Sequence, residues 1–206
     1  MSPRNWESAD RVQIIRKSSF IAKPWKNGGG ITHEVIRVPA LGESFRWRVS
    51  IAHIDAPGPF SDFAHYQRTM VLLRGAGVVL RFADGERREL RRIGDLTQFD
   101  GAVATYCELL DGPCVDLNLM VSNSTRAEAR LEQVGDEGLP VRGSALQSTL
   151  IFSIEHPLML ETDEGGAGRL EPWDLAVLSG SGGRLRPVEC ANLRVPGAVF
   201  FATIAN

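Results

Sequence analysis

The chain has 206 residues, 43% of them hydrophobic and 23% charged, with a formal net charge of −2. That composition belongs to a globular protein of one large or two small domains and excludes a disordered or low-complexity chain. The near-neutral balance leaves no basic footprint for nucleic acid, and no apolar run approaches the ~20 residues that cross a bilayer as a helix.

The first twenty residues carry Arg4, Asp10, Arg11, Arg16 and Lys17 without a continuous apolar stretch, so no secretory leader is read there. Cys107, Cys114 and Cys190 make an odd number with no CxxC pair. Free thiols in a reducing cytoplasm are the expectation.

Pro24-Trp25-Lys26-Asn27-Gly28-Gly29-Gly30-Ile31-Thr32-His33-Glu34 is the most distinctive string. Three glycines permit positive φ and bring backbone N–H groups close to a ligand, and they equally make a plain strand-to-strand turn. The lysine precedes the glycines and no GK[ST] follows, so this is no P-loop. Around one bend the string gathers a stacking surface, a cation, an amide, a hydroxyl and a carboxylate. Phe45, Trp47, Val49 and Ile51 then alternate with Arg46, Arg48 and Ser50, a strand pattern that puts Arg48 and Ser50 on one face. Residues 69–73 and 78–82 are short apolar runs divided by Gly75 and Gly77, and Asp84-Gly85 marks a hairpin. The basic cluster Arg87, Arg88, Arg91 and Arg92 follows that turn and reads as a solvated arm.

Further on, Leu117, Leu119 and Val121 alternate with Asp116, Asn118 and Met120. Asp116 and Asn118 share a face; they satisfy buried backbone groups, or Asn118 reaches a pocket. Residues 125–134 read two ways, as a helix opened by a capping box at Thr125 to Glu128 or as an alternating strand. The β context favours the strand. Thr69-Met70-Val71-Leu72 returns as Thr149-Leu150-Ile151-Phe152, Leu80 as Leu160, and Leu90…Asp95-Leu96 as Leu170…Asp174-Leu175 with one residue deleted. Such self-similarity signals duplication, and closing each half into a barrel removes exposed sheet edges. The chain is therefore expected to be all-β, with halves at residues 1–123 and 124–206.

The run from Trp25 through Glu34 resembles the opening signature of the HutD/Ves family. The similarity continues through Trp47-Arg48-x-Ser50-x-Ala52, Gly58-Pro59-Phe60-Ser61, Arg68-Thr69, Leu110-Asp111-Gly112-Pro113 and Asp116-Leu117-Asn118, and the C-terminal half adds little. The resemblance implies a bicupin, two cupin barrels in one chain, with an accessory or regulatory role beside histidine-utilisation enzymes and no established catalysis. Laying the cupin metal motif on Gly75 puts Arg68 in the glutamate slot, with Ser61 and Phe63, or Asp62 and Ala64, in the histidine slots. Thr105, Ser148 and Arg184 fill further slots, and none of the ligand positions holds a His or Glu, so neither a metal nor another cofactor is expected. The four histidines, His33, His53, His65 and His156, are scattered without a metal-pair or relay spacing.

An arginine in a metal ligand's place puts a fixed cation in the barrel, where a carboxylate matches the guanidinium's paired donors. Glu34 is the internal counter-charge the sequence offers. The expected site is a carboxylate pocket in which Arg68 clamps the anion and Lys26 and Arg48 add positive potential. Trp25 and Phe60 form walls, Asn27 and Ser50 orient the guest, and Thr32, Glu34 and Asn118 line it. Urocanate and formyl- or formimino-glutamate are the guests that the resemblance suggests. The alternative is a metal-independent enzyme with Glu34 as general base and Lys26 and Arg68 stabilising an enolate or oxyanion; a third reading is a scaffold contacting another protein through the C-terminal half. No nucleic-acid or membrane partner is expected, and the sequence leaves the oligomeric state open, a homodimer among the options.

Overall fold

The structure is a computed structural model that describes residues 12–25, 28–39, 44–188 and 197–206. Strand β1 (Val12–Ile15) leads through a 3-10 turn at Lys17–Ser19 to β2 (Ile21–Pro24), β3 (Gly30–Val38), β4 (Trp47–Ile54) and the two-residue β5 (Gly58–Pro59). There follow β6 (Tyr66–Arg74), β7 (Val78–Phe82), β8 (Arg87–Leu90), β9 (Leu96–Asp100), β10 (Thr105–Leu109) and β11 (Cys114–Ser122). The chain continues through β12 (Ala127–Val134), β13 (Leu139–Val141), β14 (Gln147–Ser153), β15 (Leu158–Thr162), β16 (Ala167–Leu170), β17 (Leu175–Ser179), β18 (Gly183–Pro187) and β19 (Gly197–Ala205). No α-helix occurs among the described residues, hence no helix there is long and apolar enough to cross a membrane.

Two compact units result, one comprising Phe20–Ser124 and the other Thr125–Asn206 with residues 12–19. The first holds a six-stranded sheet, β2-β3-β4-β11-β6-β9, and a four-stranded one, β5-β10-β7-β8. The second holds β1-β17-β14-β19-β12 and β13-β18-β15-β16. Read from β4, the order β4-β11-β6-β9 matches β12-β19-β14-β17, and the smaller sheets match strand for strand. This is the bicupin duplication that the echo between residues 69 and 149 announces. A local detail repeats too: Asp95 Oδ2 accepts from the Arg91 and Arg92 amides, as Asp174 Oδ2 accepts from the Glu171 amide. Both aspartates follow a residue at positive φ, Gly94 in one unit and Trp173 in the other.

The N-terminal segment sits with the first half by sequence position, yet β1 extends the second unit's sheet. Val12 to Ile15 pair with Leu178 to Leu175, and Arg16 Nη1 meets Asp174 Oδ2 at 2.7 Å. Residues 127–134 form a strand along their whole length against β19; tertiary pairing overrides the local helix signal. In the arginine-rich arm after Gly85, Arg87, Arg88 and Arg91 pair with Glu89, Glu86 and Glu89 again, and Arg92 with Asp95.

The first unit's interior is filled from β4, β6, β7, β8, β9, β10 and β11 by Ile54, Met70, Leu72, Val78, Leu80, Phe82, Leu90, Phe99, Cys107 and Cys114, with Trp25 and Phe60 packed against them. Strand alternation then fixes what else faces inward. Met70 and Leu72 carry Arg68 inward on β6, Ile54 carries Arg48 and Ser50 on β4, and Cys114 carries Asp116 and Asn118 on β11. Trp47, Val49, Ile51, Leu117 and Leu119, on the opposite faces, are buried as well. One end of the interior is thus polar and the other apolar.

Candidate functional site

Register arranges the polar end in rows. Strand β11 lies between β4 and β6, so Met120 stands opposite Arg48 on one side and Arg68 on the other. The next row sets Glu34, Ser50, Asn118 and Met70 side by side, and the one beyond sets Thr32, Ala52, Asp116 and Leu72. Between Glu34 and Ile36 the β3–β4 register slips by one residue. This bulge reverses the parity of β3 and brings Arg37 opposite Arg48, onto the same face as Glu34.

These rows line an open cavity of about 710 Å³. Of the ten residues singled out from the sequence, Trp25, Thr32, Glu34, Arg48, Ser50, Phe60, Arg68 and Asn118 all line it. Lys26 and Asn27 lie outside the described residues. Gly28, Gly29 and Gly30 are not among the lining residues. Gly30 starts β3 where a β-carbon would collide with the His53 carbonyl and crowd the Trp25 ring, while Gly28 takes a φ of +72° in the turn. The glycine run therefore serves the turn and the close packing. His33 and His53, distant in sequence, have ring centroids 5.0 Å apart, outside the cavity lining.

Arg68 is the centre of the arrangement. It is 6% exposed, and its Nη2 donates to Asn118 Oδ1 at 2.8 Å, while Nε has no hydrogen-bond partner among the described residues. Its guanidinium carbon lies 4.8 Å from the centroid of Phe60, 5.0 Å from that of Phe99 and 5.7 Å from that of Phe63. Cation–π contact of this kind compensates part of the lost hydration. Burial nonetheless pulls its pKa down to about 10, against the raising influence of Asp116, so it stays charged at neutral pH. Arg48 sits over Phe45 and Phe63, both at 5.2 Å, and reaches Met120 Sδ at 3.4 Å. Its pKa is also lowered by burial, with Glu34 acting the other way. Neither guanidinium forms an ion pair with a carboxylate among the described residues.

The counter-charge differs from the expected one. Glu34 Oε1 stands 3.3 Å from Lys23 Nζ. The carboxylate that belongs to Arg68 is Asp116, coupled to it through Asn118, whose Nδ2 donates to Asp116 Oδ2. Asp116 is 1% exposed, and its Oδ1 has no hydrogen-bond partner among the described residues. Burial pushes its pKa up to about 7, with Arg68 and Asn118 opposing. On the far wall Trp25 Nε1 donates to Thr32 Oγ1 at 2.7 Å, which fixes the indole across the β2–β3 hairpin.

Sequence reasoning missed Asp116, Lys23, Arg37 and Phe63 as lining residues. The shared parity of Asp116 and Asn118 was a legible signal for the first. Arg37 depends on the bulge and Phe63 on the loop after β5; neither shows in alternation.

Cupin folds commonly hold a metal, and the donor set here does not fit one. By its spacing from Gly75, Arg68 falls in the glutamate slot of the cupin motif, and a permanent cation there repels a metal ion rather than coordinating it. Among the described residues no three His, Cys, Asp or Glu side chains converge.

The HutD family model matches residues 17–193 of the chain. A 21.2 kDa protein of the hutC 3′ region in Pseudomonas putida is 33% identical over 172 residues, 83% of this chain and 88% of its own. Protein Ves of Citrobacter koseri is 34% identical over 121 residues, covering 58% of this chain and 62% of its own. Among solved structures, a conserved protein from Pseudomonas aeruginosa PAO1 superposes with a TM-score of 0.84 at 30% identity, covering 95% of this chain and 99% of that one. HutD from Pseudomonas fluorescens SBW25 gives 0.74 at 29% identity, covering 95% and 100%. Oxalate decarboxylase from Lactobacillus farciminis, at 8% identity and a TM-score of 0.62 over 95% of this chain and 86% of its own, shares the fold. With its family model spanning most of the length and its bicupin architecture in place, the chain belongs to the HutD family.

Proposed function

We propose that the first unit's cavity captures a small carboxylate, and that the protein acts as a binding accessory or regulator linked to histidine degradation. One observation carries the reading: the buried Arg68 and the part-buried Arg48 line the same cavity as guanidiniums, and among the described residues neither makes an ion pair with a carboxylate. An unpaired buried cation is costly, and an anionic guest that pairs with it offsets that cost. Trp25, Phe60 and Phe63 supply apolar walls, as small-molecule sites require. The relation to a protein of the hutC 3′ region directs attention to the acids of histidine breakdown, urocanate and formyl- or formimino-glutamate. The alternative, an enzyme with Glu34 as base, places that carboxylate in the same cavity, 3.3 Å from Lys23 Nζ, and turnover assays separate the two readings.

Isothermal titration of the full chain with these acids tests the proposal. Two or three charge-assisted hydrogen bonds, each about 1.5–3 kcal/mol, correspond after binding entropy to micromolar-to-millimolar affinity. Arg68→Met is expected to remove about 2–5 kcal/mol of it, and Arg48→Met a smaller share. Should every acid fail to bind, or should a folded Arg68→Met protein bind as well as the parent, the assignment is wrong. Turnover of the same acids, with Glu34→Gln as control, separates binding from catalysis.

A further inference from the structure

Beyond its cations, the cavity carries one acceptor that is unmet among the described residues. Asp116 projects from the inward face of β11 and is 1% exposed. Oδ2 is taken by the Asn118 amide; Oδ1 has no partner. Asn118 cannot rotate to serve both oxygens, because its own Oδ1 is held by Arg68. The residues beside Asp116 in register are Ala52 on β4 and Leu72 on β6, which carry no polar side-chain atom. From the facing sheet the titratable neighbour is the Cys107 thiol, a weak donor, so a strong donor for Oδ1 comes from the cavity that Asp116 lines.

We propose that Asp116 is a specificity-determining residue: beside the carboxylate taken by Arg68, the guest carries an N–H or O–H that donates to Asp116 Oδ1. This rests on the carboxylate reading and adds a second requirement to it. The polarity of the cavity runs along the strands. Arg48, Met120 and Arg68 form one row, and Asp116 stands four residues away on β11, about 13 Å of backbone. Arg68 leans from its row to Asn118, halfway along. A guest with anionic groups at both places would set a carboxylate against Asp116, whereas one with an anion at the arginine end and a donor at the other satisfies both. A site built to hydrogen-bond a donor rejects the analogue lacking it, because its own buried acceptor is then left unpaired. Burial raises the pKa of this carboxyl to about 7, so Oδ1 is offered as an acceptor above that pH, and the titrations are made at pH 8.

Isosteric pairs read the requirement directly. Urocanate is compared with 3-(2-furyl)acrylate, which keeps the acrylate and loses the ring N–H. N-formylglutamate is compared with 2-(2-oxoethyl)glutarate, in which a methylene replaces the amide N–H. Titration of the full chain with the pair whose parent binds more tightly is expected to show the parent favoured at least tenfold. In Asp116→Asn, whose amide can present a donor instead, the ratio falls to threefold or less. The inference is overturned if the wild type binds the isostere within threefold of its parent, or if a folded Asp116→Asn protein keeps the tenfold preference. If both members bind equally and Arg68→Met abolishes both, only the donor requirement is lost. If neither member of either pair binds, the carboxylate reading fails and this one with it.

Discussion

Arg68 and Asn118 are diagonal neighbours on adjacent strands, and the guanidinium of one donates to the amide oxygen of the other at 2.8 Å. Arg68 stands opposite Met120 and Asn118 opposite Met70. The same amide donates to Asp116, so a single side chain connects the buried cation to the buried acid and fixes both.

Asn118→Leu removes that connection without leaving a void. The mutant is expected to lose about 1–3 kcal/mol of stability, the cost of leaving a buried polar group unsatisfied. Urea unfolding should show a lower midpoint at an unchanged m-value. In a double-mutant cycle with Arg68→Met, a coupling of about 0.5–3 kcal/mol is expected; additive effects would show the contact to be inert.

Asp116 gives the stability a distinctive pH dependence. Burial raises its native pKa to about 7, whereas an unfolded aspartate titrates near 3.9, about 1.4 kcal/mol per unit of difference. Between about pH 4 and pH 7 the native state keeps a proton that the unfolded state has lost. The contribution is therefore fully present below pH 4 and is lost as pH rises through 7. Other carboxylates titrate over part of the range, so the readout is the difference between the wild type and Asp116→Asn. Asp116→Asn should gain relative stability from pH 4 to 7 and no more above it; parallel profiles would mean that Asp116 is ionised throughout.

Gly30→Ala should be more damaging than Gly28→Ala. A β-carbon at Gly30 meets the backbone carbonyl of His53 and crowds Trp25, while at Gly28 it meets nothing within 4 Å. Forced overpacking costs about 1–3 kcal/mol; at Gly28 only the left-handed backbone, φ +72°, is penalised, by about 1–2 kcal/mol. Thermal melts of the two variants, with ligand titration of whichever folds, give the comparison. A Gly30→Ala protein as stable as the parent would contradict this packing.

Thr32→Val takes away the acceptor for Trp25 Nε1. The indole then loses its anchor on the cavity wall, at a cost of about 0.5–1.5 kcal/mol for a typical hydrogen bond. A bound acid should perturb the emission of Trp25, and the response should be weaker in Thr32→Val and absent in Trp25→Phe. An undiminished response in Trp25→Phe would place the guest elsewhere.

Cys107 and Cys114 are buried free thiols. Burial pushes Cys107 up to about 12 and raises Cys114 as well, and thiolate is the reactive form. Neither should be alkylated by iodoacetamide at pH 8 in the native protein, and both should react in denaturant. Peptide mapping distinguishes the two; rapid native labelling of Cys107 would show that the barrel interior opens.

Alternation in the sequence was enough to announce strands, to place Arg48 with Ser50 and Asp116 with Asn118, and to reveal two copies of one architecture. Spacing against a cupin motif pointed to Arg68, since a side chain seven residues before a glycine turn keeps its place when its chemistry changes. These are local properties, set by a two-residue period and by turn residues. Tertiary structure alone decided which strands became neighbours. Pairing of β11 with both β4 and β6 put Arg48 and Arg68 in one row and gave Asp116, rather than Glu34, to Arg68. A one-residue bulge in β3 turned Arg37 into the cavity against the parity of its own sequence, and pairing with β17 carried β1 into the second unit. Periodicity along a strand fixes only which face a side chain takes; what it meets there depends on the register between strands far apart in the chain, which no single segment encodes.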